Sequence, residues 1–203
     1  MAITYPITLP LKPGPRTFTQ SETSFAAMSQ SPWSGVQQVQ LNQGQLWAFS
    51  VDYPPMSEDH AREWSGVLAQ LNGRFGTFLF GDPRWKSPRG SWAGAPVVNG
   101  SGQSGQTLAM NGFTVGATGR AGDYFQHGSG SASRLYKVTQ DFVADGAGEA
   151  QVEIWPRIRI SPTGGDSLTL QSPKGVFRLA SPTVARSWEP FRHGLSFEMI
   201  EAL

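Results

Sequence analysis

The sequence predicts a mainly β protein with one flanking α-helix, and three observations predict it. Glycine and proline are abundant and scattered, 24 and 15 in 203 residues, the punctuation of many short strands and turns. Short runs in which apolar and polar residues alternate recur along the chain. One stretch alone, PPMSEDHAREWSGVLAQLNG at 54–73, shows the three- and four-residue apolar spacing of a helix.

In chain order, residues 3–17 alternate in short apolar pairs broken by Pro6, Pro10, Pro13 and Pro15. Proline lacks the donor that a central strand needs, so this segment reads as an extended arm or edge strand. Such an arm is suited to lie across a neighbouring subunit, with Tyr5, Leu9 and Leu11 as its contact residues. VQQVQLNQGQLWAFSVDY predicts a hairpin: a strand near 36–42, a turn at Asn42-Gln43-Gly44 and a return strand near 45–53. On the return strand Leu46, Ala48 and Ser50 share one face, and Trp47, Phe49 and Val51 the other.

Pro54-Pro55 ends that strand. Ser57 is placed to cap the helix, and Glu58 and Asp59 sit in its first turn, where the helix dipole favours negative charge. Ala61, Trp64, Val67, Leu68 and Leu71 draw a single stripe, so Trp64, Val67, Leu68 and Leu71 are expected to pack on a sheet. Asn72-Gly73 stops the helix. RFGTFLFGD at 74–82 reads as the next strand, and the Gly/Ser/Pro-rich segment 84–105 as a long loop entering an insert. Within it QTLAM, FTV and DYFQH read as strands, followed by a hairpin of RLYKVTQDFV and AQVEIWPRIRI around ADGAGE. SLTLQS, GVFRLA and GLSFEMIEAL complete the chain.

Several function classes lose support. A net charge of +1 provides no global field for nucleic acid or an acidic membrane. The absence of cysteine excludes disulfides, thiolate metal sites and a cysteine nucleophile. No basic start precedes an apolar run, and no window approaches 18 apolar residues, so neither a signal peptide nor membrane insertion is expected. Synthesis in a reducing cytoplasm follows. GSGQSG at 100–105 matches G-x-G-x-x-G, with Asp123 about twenty residues on, but the following QTLAMNGFTV has strand character and a turn, so the match reads as a loop.

His60, His127 and His193 are isolated and read as solvated surface residues, with no metal site. No G-x-S-x-G elbow is present. Asp141, Asp145 and Glu149 flank a turn, and Glu153 reads as a residue of a solvated strand face. No catalytic constellation and no cofactor site emerge, and an enzyme is not expected. Trp85 and Trp92, in the loop region, are candidates for glycan or partner contact; the alternative is that they anchor the long loop.

The order of segments carries a resemblance. An extended arm, SPWSGVQQVQL, a Trp-containing return strand, YPPM, an amphipathic helix and GRFGTFLFGDP together resemble the N-terminal half of tail proteins from long-tailed bacteriophages and prophages. RGSWAGAPVVNGSGQSGQTLAM, RLYKVTQDFVADGAGEAQVEIWPRIR and GVFRLA resemble the second half. The family is that of the siphophage distal tail proteins. The resemblance implies a tail-tube-like ring domain, a β-sandwich or split barrel, from residues 1–83 and 173–203, with a β-rich insertion domain at 84–172. The helix from Ser57 to Leu71 would then cover the sheet outside the barrel. It also implies a virion structural protein of the viral tail tip or baseplate, made in the host cytoplasm. Its homohexameric ring would join the tail tube protein to the tail hub and tip proteins, and phage DNA would pass through the channel without specific binding. A tail tube subunit, a carbohydrate-binding module for host adhesion and a tail-associated cell-wall hydrolase are the other readings.

Overall fold

The computed structural model describes residues 3–189 and 192–203. The strands are β1 (Ile7–Thr8), β2 (Thr17–Gln30), β3 (Gln37–Met56), β4 (Phe78–Phe80), β5 (Gly94–Val98), β6 (Thr107–Phe113), β7 (Thr118–Gly119), β8 (Tyr124–His127), β9 (Arg134–Val138), β10 (Phe142–Val143), β11 (Ala150–Trp155), β12 (Leu168–Thr169), β13 (Gly175–Leu179), β14 (Arg186–Glu189) and β15 (Arg192–Glu201). The α-helix among the described residues is α1 (Glu58–Gln70), between β3 and β4. The protein is mainly β, with one helix.

A first sheet runs β1-β4-β13-β15-β3-β2, with β14 paired to β15; a second runs β12-β8-β9-β11-β6-β5, and β7 and β10 form a two-stranded ladder. The first sheet curls. Phe18 on β2 and Phe80 on β4 lie far apart in strand order, yet their rings approach to 6.2 Å. The odd-numbered residues of β3 turn into this concave face, where Trp47, Phe49, Val51 and Tyr53 are buried with Phe177, Phe197 and Met199. Aromatic rings fill the wide space that a curled sheet encloses.

The two mouths of the curl are closed differently. At one, α1 lays Trp64 against Tyr53 and Phe197, with ring centroids 4.6 and 6.1 Å apart. Ala61, Leu68 and Leu71 are buried with it, and Val67 packs alongside. The predicted stripe is therefore the packing face, but it does not cover the sheet from outside: it seals the end of the aromatic interior, on the side that already carries Phe49. Ser57 precedes the helix without capping it; its hydroxyl faces His60 Nδ1 at 3.3 Å. At the other mouth Tyr124, Leu135 and Trp155 of the second sheet join the same core, Trp155 meeting Trp47 edge-on at 4.2 Å. A separate core behind them gathers Trp92, Met110, Phe125, Tyr136 and Ile154.

The hairpin differs most from expectation. No turn forms at Asn42-Gln43-Gly44. β3 runs unbroken for 20 residues, and its partner is β2, across a turn at 31–36. There the Ser31 hydroxyl accepts the N–H of Ser34, and Gly35 adopts φ +69°. The extra residues near Gly44 are absorbed as a bulge, the register stepping from Ser24↔Gln45 to Ala26↔Leu41. Gly44 serves close packing: a Cβ there would sit 2.7 Å from Phe25 Cδ2. In the second sheet, β11 lies between β9 and β6, so the expected hairpin partner covers only its end, at Ile154 and Trp155.

Candidate assembly surfaces

The β2–β3 ribbon extends beyond the curled sheet. β15 pairs with β3 only as far as Ala48, and Glu201 and Arg159 cover the backbone of Trp47 and Gln45, so residues 37–44 of β3 have one open edge, and β2 forms the free end of the sheet. The register sets the two faces. Met28 opposite Val39 and Ala26 opposite Leu41 lie on one side; Ala27 opposite Gln40 and Ser29 opposite Gln38 lie on the other. Met28, Val39 and Leu41 are 63%, 62% and 64% exposed, and Trp33 at the turn is 95% exposed. This ribbon is thus amphipathic, with two open edges and an uncovered apolar face, the state that strand addition or a packed neighbour relieves. Its apolar face continues the parity of Trp47, Phe49 and Val51.

The opposite, convex face is uniform in another way. Thr17, Thr19, Ser21 and Thr23 on β2 lie opposite Asp52, Ser50, Ala48 and Leu46, and β15 adds Ser196, Glu198 and Ile200. Hydroxyl and small side chains dominate, and the formal charges along these three runs, Asp52 and Glu198, are both negative. Past β15, β13 continues this face with Arg178 opposite Ile200, so one arginine stands beside the two carboxylates.

The N-terminal arm does not lie free. Leu9 is buried in the first core, and Tyr5 stacks edge-on against Phe75 at 5.9 Å while its hydroxyl donates to the Gln70 carbonyl. β1 joins the sheet as a parallel partner of β4. Of the three proposed contact residues only Leu11, 84% exposed, faces outward; the arm's apolar pairs are consumed by its own sheet and helix.

The two loop tryptophans separate. Trp92 is buried among Phe113, Phe125 and Phe142, and its indole N–H donates to Asp123 Oδ2 at 2.9 Å. It offers no face to a sugar ring and anchors the loop instead. Trp85 stands edge-on to Tyr124 at 5.1 Å, its indole N–H buried without an acceptor. It lines a cleft of about 400 Å³ with Leu9, Tyr53, Phe80 and Asp82, and burial pushes the Tyr53 phenol above its ordinary range. Any glycan contact would therefore involve Trp85 alone.

No protein-family model and no curated protein matches this chain.

The insert's polar residues are structural latches. GSGQSG is a loop, as its strand-like sequel predicts, with Gly100, Gly102 and Gly105 at positive φ. Asp123 is no ribose ligand. Fully buried, it accepts N–H groups from Arg89 and Arg120 at 2.9 Å, from Gly90 at 3.2 Å and from Trp92. Burial alone would raise its pKa, but these donors outweigh it and leave the carboxyl below the ordinary range. His127, expected in solvent, is 8% exposed and bonds Asp166 Oδ2 at 2.9 Å. Glu153 is half-buried and accepts the Thr107 hydroxyl at 2.7 Å. No helix among the described residues is long and apolar enough to cross a membrane.

Polar residues outside every predicted site join the two sheets. Arg159 donates to both carboxylate oxygens of Glu201, and Gln45 accepts the Arg157 N–H at 2.7 Å. Arginine in PRIRI and glutamate in FEMIEAL carry no motif; only their burial reveals them.

Proposed function

We propose that this chain is a structural subunit of the tail tip of a long-tailed bacteriophage, a distal tail protein that closes a six-fold ring between the tail tube and the tip hub. The β2–β3 ribbon carries the reading. Its open edges and apolar face need a partner, and in a head-to-tail cyclic assembly each ribbon meets the next subunit until the ring closes. The convex Thr/Ser face is suited to a channel wall past which DNA slides without being held, since hydroxyl and small side chains dominate it and Asp52 and Glu198 outnumber its one arginine, Arg178. Virion location and the tube and hub partners come with this reading.

The test is mass determination by light scattering across a concentration series, with negative-stain images of the largest species. A discrete hexamer or stacked double ring with a central hole is expected. Val39→Glu with Leu41→Glu, both on the exposed face, should leave the fold intact by circular dichroism and yield monomer. Long tubes would instead assign a tube subunit, and rings indifferent to these substitutions would remove the ribbon from the interface.

A further inference from the structure

Residues 157–160, leaving the second sheet, wall a pocket of about 340 Å³ together with Gln43, Arg134 and Leu203. Its polar lining is cationic. Arg159 is matched by Glu201 at 2.7 Å, and that carboxylate is also engaged by the Trp47 N–H. Arg134 and Arg157, by contrast, meet no carboxylate among the described residues. Arg134 is the more telling of the two. It is 9% exposed, and its Nη1 donates to the carbonyls of Ser131 and Ser133 at 3.0 and 2.9 Å. Its Nε is buried without an acceptor. That N–H is shut off from anything the size of a water molecule, so a group entering the pocket would meet the rest of the guanidinium, whose charge no carboxylate among the described residues offsets. Arg157 is held by its own backbone N–H on Gln45 Oε1, while its guanidinium meets no acceptor among the described residues.

We infer that this pocket binds a tetrahedral oxyanion, a phosphate or sulfate group. Guanidinium is a planar fork that keeps its charge throughout the physiological range and forms strong charge-assisted bonds with such oxygens. A tetrahedral anion offers oxygens in several directions, so one group can serve Arg134 and Arg157 together. The volume exceeds that of one such group. Ile158, Ile160 and Leu203 supply an apolar wall, so a small phosphorylated or sulfated molecule fits as well as the free ion. The assignment does not depend on the tail reading.

The experiment is calorimetric titration of the full chain with inorganic phosphate at fixed ionic strength, with chloride as the control and glucose 6-phosphate in parallel. Saturable phosphate binding, with sulfate competing, is expected. Arg157→Gln should weaken it about tenfold, the loss of one charge-assisted contact. Gln43→Glu should abolish it by placing a carboxylate on the arginines. Both positions lie at the pocket's outer wall, and circular dichroism checks that both variants fold. Tighter binding of the sugar phosphate supports the site and names an organic ligand; equal binding supports it and names the free anion. No saturable signal, or a signal that both substitutions leave unchanged, would overturn the assignment.

Discussion

Arg159 and Glu201 form a two-pronged ion pair, Nη2 to Oε2 at 2.7 Å and Nε to Oε1 at 3.2 Å, with side chains only 10% and 3% exposed. Residues 156–160 leave the second sheet after β11, and Glu201 ends β15 of the first, so one buried bond ties the two sheets together. The Glu201 carboxylate also accepts the Trp47 N–H, which adds β3 to the same junction.

Breaking that pair from one side should be costly. Arg159→Met or Glu201→Gln leaves an uncompensated buried group, and about 3–5 kcal/mol of unfolding free energy should be lost. Urea denaturation checks it. The double variant Arg159→Met/Glu201→Leu should lose much less than the sum of the single losses, because both charges depart together.

Asp123 predicts an acid dependence. Its folded pKa is depressed, so its contribution is fully present above the unfolded value of about 3.9 and is lost as pH falls through the lower folded value. Asp141, Asp145 and Asp166 shift in the same direction, so the wild type should weaken below about pH 4 through all four. Comparing urea stability between pH 3 and pH 6 for the wild type and Asp123→Asn isolates this residue: the variant should be less stable at pH 6, by about 2–3 kcal/mol, and should lose less on acidification. Parallel pH curves would reject the carboxylate clamp.

Gly81 predicts a packing effect where the chain leaves the first sheet and later returns. A Cβ at Gly81 would stand 2.1 Å from the Pro173 carbonyl oxygen, so the outgoing and returning strands must move apart to admit it. Gly81→Ala should cost about 1–3 kcal/mol, read as a lowered melting temperature. Gly14, with open space around its position, provides the control: Gly14→Ala should be nearly neutral.

The sequence by itself determined the β class, the extent of α1 and the stripe that α1 buries. Each is local: strand alternation, three- and four-residue spacing and the Asn72-Gly73 stop act within a few residues of chain, and φ values of 49° and 65° at that pair bear out the stop. GSGQSG was likewise legible as a loop, because the strand-like residues after it left no helix for a fingerprint to open.

Only the tertiary structure decided the rest. Residues 18–30 carry no apolar alternation, so β2 was invisible until β3 supplied its partner, and Gly44 signalled a turn when its real neighbour was the Phe25 ring. His127 looked like a surface residue, and the sequence left Trp92 open between a contact residue and a loop anchor, because burial depends on what folds over them. The same holds for the orientation of α1. A stripe says that a helix packs, whereas the curl that brings Phe18 to Phe80 made the open mouth that α1 closes. Periodicity is written along the chain, but burial, register and charge pairing are set by residues far away in it, and those are fixed only when the sheet curls.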